Sequence, residues 1–412
     1  MNKKTIIILS TVLILLLAAA GGVFWFSSQK SGGNGSDTGG GSFPSSGERN
    51  INGLLPGGKL LPGENAKTAD FIQIVPQAVA GAAVFSGNGE QSASTTIRYI
   101  EKSTGNIYEV GPHGKDRTRI TNTTILKIFE SFWSPGADKV VIRYLDDDNI
   151  ISLAKTFSVS IKKDGGEGGE SSGGTTTPFS SLAGVFLPKN TTAVAVSPAE
   201  DKVFYLNNSG AETTGIIANF DNEKQKVVFS MPFGGFNVNW PNKNIISLLT
   251  KPSGLADGFL YFLNPKTAKM EKILGKIKGL TALVSPSGEN VIYSQSVGGI
   301  FNTKVFDVNK KSSRDIGLKT IPEKCVWGES RPDVIYCGVP NKLPSSKYPD
   351  TWYQGLISFN DSIWSINIST GETKMILKNT GTDVTNPFWV DGGHYLVFMN
   401  KKDNTLWSLR IR

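Results

Sequence analysis

Short hydrophobic runs alternate with polar turns along most of this chain, and the pattern repeats. In each repeat a bulky apolar residue closes a short strand, a tight turn follows, and a second strand begins. Seven residues mark these strand ends: Phe85, Trp133, Val196, Trp240, Val284, Trp327 and Trp389. The central spacings lie in the low forties, a period typical of four-stranded propeller blades. The pattern therefore predicts an all-β fold, a seven-bladed β-propeller over residues 71–412.

The seventh predicted blade is incomplete. It has strands at 384–389, 394–399 and 405–411 before the chain stops, which leaves an open edge. An unpaired strand edge invites aggregation. The apolar segment Phe71–Val75 comes just before blade one and has no blade of its own. We expect this segment to add as the outer strand of blade seven and close the ring.

The first 26 residues differ in kind from the rest. The segment from Thr5 to Phe26 carries no charge, and as a helix it is long enough to cross roughly 30 Å of hydrocarbon. Lys3 and Lys4 precede this run and favour a cytoplasmic N-terminus. The sequence predicts an N-terminal transmembrane signal anchor at 1–26, in a single-pass protein of the plasma membrane. A cleaved signal peptide is the alternative, because Ala18 to Ala20 could form a cleavage site.

Residues 27–70 are rich in Gly and Ser and poor in apolar side chains. Such a segment buries too little surface to offset the entropy of ordering, so we expect a flexible linker. It would hold an extracytoplasmic propeller clear of the bilayer.

Two intervals between strand ends are longer than the others, and each contains an insert. Residues 164–177 are rich in Gly, Ser and Glu and predict a loop in blade two. Residues 341–360 contain Tyr348, Trp352 and Tyr353 and fall between the second and third strands of blade six. These rings could bind a protein or a glycan, since rigid aromatic side chains dominate many interfaces. Alternatively, the loop folds back and caps the propeller with them.

The net charge of +8 is modest for 412 residues. Lysines gather around one predicted outer strand, at Lys266, Lys269, Lys272, Lys276 and Lys278. These lysines either keep a solvent-exposed strand edge from pairing with other chains or attract an anionic surface polymer. No motif predicts a nucleic-acid partner, a small-molecule substrate or a cofactor.

The two cysteines, Cys325 and Cys337, flank a predicted turn between antiparallel strands. A register that places them opposite each other brings their Cβ atoms close enough for a bridge. An exported domain permits oxidation. We expect a disulfide, with two buried thiols as the alternative, and no metal site.

Candidate chemistry is sparse. Asp146, Asp147 and Asp148 form a turn that could offer oxygen ligands to calcium, although acidic turn tips are common and the EF-hand pattern is absent. Gly169 to Gly173 matches the G-x-S-x-G nucleophile pattern around Ser171 but lies in a low-complexity loop. His113 and His394 fall in turns of neighbouring blades. We interpret these groups as a solvated turn, a loop and two exposed histidines, and predict no catalytic residues.

Three turns share a Ser-Pro pair followed by small or acidic residues: 133–139, 196–202 and 284–289. They resemble the Ser-Pro-Asp-Gly-Lys turn of TolB-like propeller repeats, and the resemblance covers roughly residues 71–412. The whole layout also looks like single-span propeller proteins of candidate-phylum bacteria. This resemblance implies a propeller used for protein association and supplies no catalytic residues.

The sequence therefore favours a membrane-tethered, non-enzymatic binding scaffold. Its expected partner is an envelope protein or an anionic surface polymer. The alternative is a propeller-fold hydrolase or lyase of the cell envelope.

Overall fold

The computed structural model describes residues 70–86, 95–147, 149–156 and 183–411. The predicted anchor, nearly all of the predicted linker and the insert at 164–177 lie outside these residues, so those three expectations stay predictions. Among the described residues no helix is long and apolar enough to cross a membrane.

The described chain forms seven antiparallel sheets of four strands each, so the predicted seven-bladed propeller is confirmed. The first strand, β1 (Phe71–Val75), belongs to the last blade. Blade one contains β2 (Val79–Ser86), β3 (Thr95–Glu101), β4 (Ile107–Val110) and β5 (Thr118–Arg119). Blade two contains β6 (Ile128–Trp133), β7 (Lys139–Asp146), β8 (Asn149–Thr156) and β9 (Ala183–Phe186). Blade three contains β10 (Thr191–Val196), β11 (Lys202–Asn208), β12 (Thr213–Asn219) and β13 (Lys226–Met231).

The remaining blades follow the same order. Blade four contains β14 (Phe236–Asn242), β15 (Ile245–Thr250), β16 (Asp257–Leu263) and β17 (Met270–Lys278). Blade five contains β18 (Thr281–Val284), β19 (Asn290–Val297), β20 (Ile300–Asp307) and β21 (Ser312–Asp315). Blade six contains β22 (Cys325–Trp327), β23 (Val334–Pro340), β24 (Asp361–Asn367) and β25 (Thr373–Leu377). Blade seven contains β26 (Val384–Val390), β27 (Tyr395–Asn400), β28 (Leu406–Arg410) and then β1. Two short helical turns complete the fold, a 3-10 turn at Pro322–Lys324 and α1 at Asp350–Tyr353.

All seven repeat anchors lie in the innermost strand of a blade, from Phe85 in β2 to Trp389 in β26. The second strand of each blade is buried on both faces, because neighbouring blades pack against both sides of it. Phe204, Tyr205 and Leu206 in β11, for example, are fully buried in succession. Such a strand appears in the sequence as a continuous apolar run rather than an alternating one.

The Ser-Pro turns have a specific hydrogen-bonding role. In each of them the serine hydroxyl accepts a backbone N–H from the far side of the turn, which satisfies a donor that the strand ladder cannot reach. The N···O distances are 2.9 Å at Ser134, 3.1 Å at Ser197 and 3.1 Å at Ser285. These turns therefore fix where the innermost strand ends and the second strand begins.

The predicted ring closure is confirmed. Strand β1 pairs antiparallel with β28, with Phe71 opposite Leu409 and Gln73 opposite Trp407. Val75 is fully buried, and the Phe71 ring stacks on the Trp407 ring with centroids 5.0 Å apart. The first strand thus covers the edge that the last three strands leave open.

Cys325 in β22 lies directly opposite Cys337 in β23. The two sulfurs form a disulfide, with Cα atoms 4.1 Å apart. Both residues are buried in the core between blades five and six.

Removing β1 should open the ring. A chain that begins at residue 77 loses the buried side chains of Ile74 and Val75, each of which contributes roughly 1.5–3 kcal/mol on burial. It also exposes the edge of β28. We expect a lower melting temperature and self-association, measured by thermal denaturation and light scattering. A chain that begins at residue 70 is the matched control and should melt like the full chain; equal melting of the two truncated forms would contradict closure by β1.

Candidate functional site

Alternating strand direction gives the propeller two faces. We call the face with the connections between second and third strands the upper face, and the face with the connections between first and second strands the lower face. The insert at 341–360 joins β23 to β24 and therefore lies on the upper face. It reaches beyond its own blade. The backbone N–H of Gly254 in blade four donates to Asp350 Oδ2 at 2.7 Å, and Ser346 donates to the carbonyl of Gly299 in blade five at 2.8 Å.

The structure buries two of the three aromatic side chains of this insert. Tyr348 is 1% exposed and Trp352 is 2% exposed, and both pack with Phe301, Ile321 and Phe359 in one cluster. Tyr353 remains 38% exposed. Of the two alternatives left by the sequence, the insert has the capping arrangement for Tyr348 and Trp352. A recognition role for the three rings stays a prediction.

A buried ammonium holds the insert to the propeller. Lys324, at the end of the 3-10 turn, is fully buried, and its Nζ donates to Asp361 Oδ2 at 2.6 Å, to Asp383 Oδ1 and to the Val384 carbonyl at 3.1 Å. The Asp383 carboxylate in turn accepts the indole N–H of Trp352 at 3.0 Å. One cation therefore connects blade six, blade seven and the insert.

Burial sets the protonation of this network. The pKa of Asp361 is raised because burial penalises its charged form, and the neighbouring Lys324 ammonium only partly opposes this. The pKa of Lys401 is lowered for the same reason, although the charge of Asp383 opposes the shift. The Lys401 Nζ lies 4.9 Å from the centroid of the Trp352 ring. The charge of Lys401 therefore interacts with one of the two buried carboxylates, that of Asp383.

Glu323 precedes Lys324 and is bonded to the insert directly. Its Oε1 accepts a hydrogen bond from the Tyr353 hydroxyl, while its Oε2 is buried and has no hydrogen-bond partner among the described residues. Burial raises the pKa of Glu323. Burial and the nearby Glu323 charge raise the pKa of Tyr353 well above its usual value. Burial of this pair therefore disfavours the charged form of both side chains.

The lower face is open. A cleft of about 270 Å³ lies between blades six and seven. Tyr336 and Trp389 line it, with ring centroids 4.7 Å apart in an edge-on arrangement. Its polar lining residues are Glu329, Ser330, Arg331 and His394. These come from the turn after β22 and the turn after β26, which the propeller places side by side.

Within this cleft His394 is oriented by its own turn. Its Nδ1 lies 2.6 Å from the carbonyl oxygen of Asp391 and 3.7 Å from Asp391 Oδ2. A carbonyl can only accept, so Nδ1 carries the proton and Nε2 is left with a free lone pair. Ser330 donates its hydroxyl to the carbonyl of Gly392 at 3.2 Å. The cleft therefore combines a histidine base, an orienting acid and a serine hydroxyl.

Glycine keeps the two turns close. Gly393 has a φ of 90°, and a Cβ placed on it would lie 3.6 Å from Ser330 Oγ and 3.8 Å from Glu329 Cβ. Any larger residue would be strained and would narrow the cleft at the serine.

The other residues singled out in the sequence lie apart from this cleft. Asp146 and Asp147 are exposed at the tip of the turn between β7 and β8, and Asp148 lies outside the described residues. No group of three metal-ligating side chains occurs in the described parts of the chain. His113 lies on the lower face between β4 and β5, with Nε2 4.0 Å from Asp116 Oδ2. Ser171 lies outside the described residues, so the structure does not test the nucleophile pattern.

A cavity of about 320 Å³ is bounded by the innermost strands of blades one to four. It is lined by apolar side chains with Ser131 and Asn239 and by no charged residue. The lower-face clefts are therefore the better place to look for a reaction.

No protein-family model matches the sequence, and no curated protein matches it. Solved structures do. An oligogalacturonate lyase in complex with manganese has a TM-score of 0.49 and 9% identity, over 82% of this chain and 99% of that one. TolB from Acinetobacter baumannii has a TM-score of 0.40 and 8% identity, over 82% and 65%. A puromycin hydrolase mutant complexed with PGG has a TM-score of 0.48 and 8% identity, over 77% and 50%. At such identities the likeness shows the fold alone.

These neighbours correct one prediction. The sequence favoured a non-enzymatic binding scaffold, because the resemblance implied a propeller used for association. A lyase and a hydrolase are among the similar propellers. The prediction of a non-enzymatic scaffold was therefore wrong, because it treated the propeller fold as evidence for protein association alone. The fold does not fix the function, so the site must decide it.

Sequence reasoning missed the residues that organise both faces. Lys324 and Asp383 each stand immediately before an innermost strand, at Cys325 and Val384. A charged residue at the entrance of an inner strand is the only signal that marks them. Ser330 and Asp391 belong to turns that depart from the Ser-Pro pattern, and that departure could have directed attention to them.

Truncating Trp352 should destabilise the protein. Trp352→Ala removes a fully packed ring and leaves the Asp383 carboxylate without one of its donors, so we expect a loss of about 3–5 kcal/mol in the free energy of unfolding. Tyr353→Ala, from the same turn but more exposed, should cost clearly less. Denaturant unfolding of both variants measures the difference, and equal small losses would contradict the capping arrangement.

The raised pKa of Glu323 predicts a pH dependence. A carboxyl whose folded pKa exceeds its unfolded value, near 4.5, stabilises the fold below the unfolded pKa, and that contribution is lost as pH rises through the folded pKa. Glu323→Gln has no such loss. The free energy of unfolding of Glu323→Gln should therefore rise relative to that of the natural protein as the pH increases above about 4.5, by on the order of 1 kcal/mol for each unit by which the pKa of Glu323 is raised. The measurement is urea unfolding across this range.

The exposed Glu372 provides the control for this pH dependence. Glu372→Gln should follow the natural protein at every pH. A constant offset between the Glu323 variant and the natural protein would show that Glu323 does not carry a raised pKa.

Proposed function

We propose that this protein is a hydrolase that cleaves acyl bonds in the cleft between blades six and seven. The observation that carries the proposal is that His394 and Ser330 line one cleft on the lower face, with Asp391 bonded to the imidazole of His394. A cleft that combines a base, an orienting group and a nucleophile is the usual starting point for assigning an acyl-transfer reaction.

His394 is the proposed general base. Its Nδ1–H donates to the carbonyl of Asp391, and the Asp391 carboxylate lies 3.7 Å from the same nitrogen. This arrangement selects the tautomer with a free Nε2 and places a negative charge where an imidazolium would form. The imidazole can therefore take up a proton and return it.

Ser330 is the proposed nucleophile. At rest its hydroxyl donates to the Gly392 carbonyl, which holds it at the blade seven side of the cleft. In the reaction the hydroxyl proton passes to His394 Nε2 while Oγ forms a bond to the substrate carbonyl carbon. The bond to the leaving group then breaks, and His394 delivers the proton to the departing atom. A water molecule, deprotonated by the same imidazole, releases the acid from Ser330.

The remaining lining residues suit substrate binding. Tyr336 and Trp389 supply an aromatic wall, and the Trp389 indole is fixed by donation to the Trp327 carbonyl at 2.7 Å. Arg331 is exposed at the rim and offers a planar cation to an acidic group of the substrate. The volume of about 270 Å³ admits a small acyl group or one end of a larger molecule.

The test uses the full chain and two reagents. Hydrolysis of p-nitrophenyl acetate reports acyl cleavage, and covalent labelling by a fluorophosphonate, mapped by peptide mass spectrometry, reports an activated serine. We expect labelling at Ser330. His394→Gln should lower turnover by about 100-fold or more, since a positioned base commonly contributes that much. Ser330→Ala should abolish labelling.

Two matched variants serve as controls. His113→Gln removes the other histidine, and Ser369→Ala removes an exposed serine of a neighbouring lower-face turn. Both should retain natural turnover and labelling. Labelling at another serine, or full activity in the His394 variant, would overturn the assignment of this cleft.

A further inference from the structure

A second cleft lies on the same face of the propeller, between blades three and four. It is the larger of the two, at about 460 Å³. Its lining has an unusual charge balance of five lysines against one glutamate. These residues are Lys202, Lys224, Lys226, Lys243, Lys266 and Glu200.

The lysines come from both walls. In blade three, Lys202 and Lys226 begin β11 and β13 and Lys224 lies in the turn before β13; in blade four, Lys243 and Lys266 lie in turns. The walls are joined by a hydrogen bond, because the Lys226 ammonium donates to the Lys266 carbonyl across the cleft at 2.9 Å. The propeller therefore builds one positively charged groove from turns that are far apart in the sequence.

Most of this charge is not neutralised internally. Lys202 pairs with Glu200, and the pKa of Glu200 is lowered first by that hydrogen bond and then by the charges of Lys202 and Lys266. Among the described residues, Lys224, Lys243 and Lys266 have no carboxylate within ion-pair distance. All three are exposed. Like charges concentrated in a cleft attract an anionic ligand strongly.

A second observation is independent of the lysines. Trp240, the anchor residue of blade four, lines the same cleft and is only 5% exposed. Its indole Nε1 is buried and has no acceptor among the described residues. This nitrogen has less than 1 Å² of accessible surface, so the buried ring forms part of the wall and a ligand in the groove meets the lysines and not the indole N–H.

We infer that the cleft between blades three and four binds an acidic polysaccharide. Carboxylates of the sugar residues pair with Lys224, Lys243 and Lys266. The apolar part of the lining, Ile217, Ala218 and Pro265, contacts the C–H face of a sugar ring.

The lining favours a polysaccharide over nucleic acid. Single-stranded nucleic acid binds by stacking its bases on exposed aromatic rings. Trp240 is the only aromatic residue lining this cleft among the described residues, and its ring is buried. The groove also has no arginine, the side chain that suits two-pronged recognition of phosphate. Lysines act as single point charges, which match carboxylates spaced along a sugar chain.

This site goes beyond the proposed hydrolase. It shares no residue with the cleft of His394 and lies between other blades, so either assignment can fail without the other. If both assignments hold, the lower face has one groove that binds a polysaccharide and one cleft that hydrolyses an acyl bond.

The experiment measures binding of alginate oligosaccharides, a chain of uronic acids, to the full chain by isothermal titration calorimetry. Neutral dextran oligosaccharides, single-stranded DNA and inorganic phosphate are the comparison ligands. We expect alginate to bind and dextran not to bind. The triple variant Lys224→Gln, Lys243→Gln and Lys266→Gln should weaken alginate binding at least tenfold.

The control removes the same charge elsewhere. Lys272, Lys276 and Lys278 lie exposed on β17, the outer strand of blade four. Their triple change to glutamine should leave alginate binding within about twofold. An equal loss of alginate affinity in both triple variants would show that net charge alone causes the effect, and would overturn the site. Tighter binding of single-stranded DNA, binding of phosphate as tight as that of alginate, or no alginate binding at all would each overturn it as well.

Discussion

The upper face of this propeller depends on a single buried ammonium. Lys324 lies between two carboxylates, Asp361 and Asp383, with no exposure of any of the three. Burying charges is costly, and the cost is repaid only when every group is paired at close range. The sequence provides most of that pairing by bringing Lys324, Asp383 and Trp352 to the same point from two blades and an insert, while Asp361 Oδ1 has no hydrogen-bond partner among the described residues. Removal of the Lys324 cation would take the nearest positive charge from two buried carboxylates, which is far more damaging than losing a surface ion pair.

This constraint explains the division between the two faces. The upper face is covered by an insert that is hydrogen-bonded to Gly254, Gly299 and Asp383. The polar groups in these contacts are therefore already paired within the protein. The lower face has short turns, and the turns of neighbouring blades leave clefts between them. Three such clefts lie between blades three and four, five and six, and six and seven. The chemistry that can reach a ligand therefore belongs to the lower face.

The sequence predicted the scaffold well because a propeller repeats. Each blade contributes an anchor such as Trp240 or Trp389 at a regular interval, and the missing strand of blade seven leaves only β1 to fill its place.

The clefts could not be predicted in the same way. Ser330 and His394 are 64 positions apart in the sequence and belong to different blades, so their proximity follows from the angle between blades rather than from any local pattern. The same holds for Lys243 and Lys226. Glu323 and Lys324 were missed because isolated charges carry no sign of burial. For the aromatic insert the sequence left two arrangements open, since composition alone does not say which way a loop folds.

The pairing of β1 with β28 also has a consequence for synthesis. The first strand of the propeller leaves the ribosome roughly 330 residues before its partner exists. At about 5–20 residues per second, β1 waits on the order of 20–70 s without a ladder. During that interval six blades can assemble in order, each from its own four strands, while the ring stays open. The ring can therefore close only after β28 has left the ribosome. A ribosome that stalls within the final blade would yield a nearly complete propeller with two unpaired strands, one from each end of the chain.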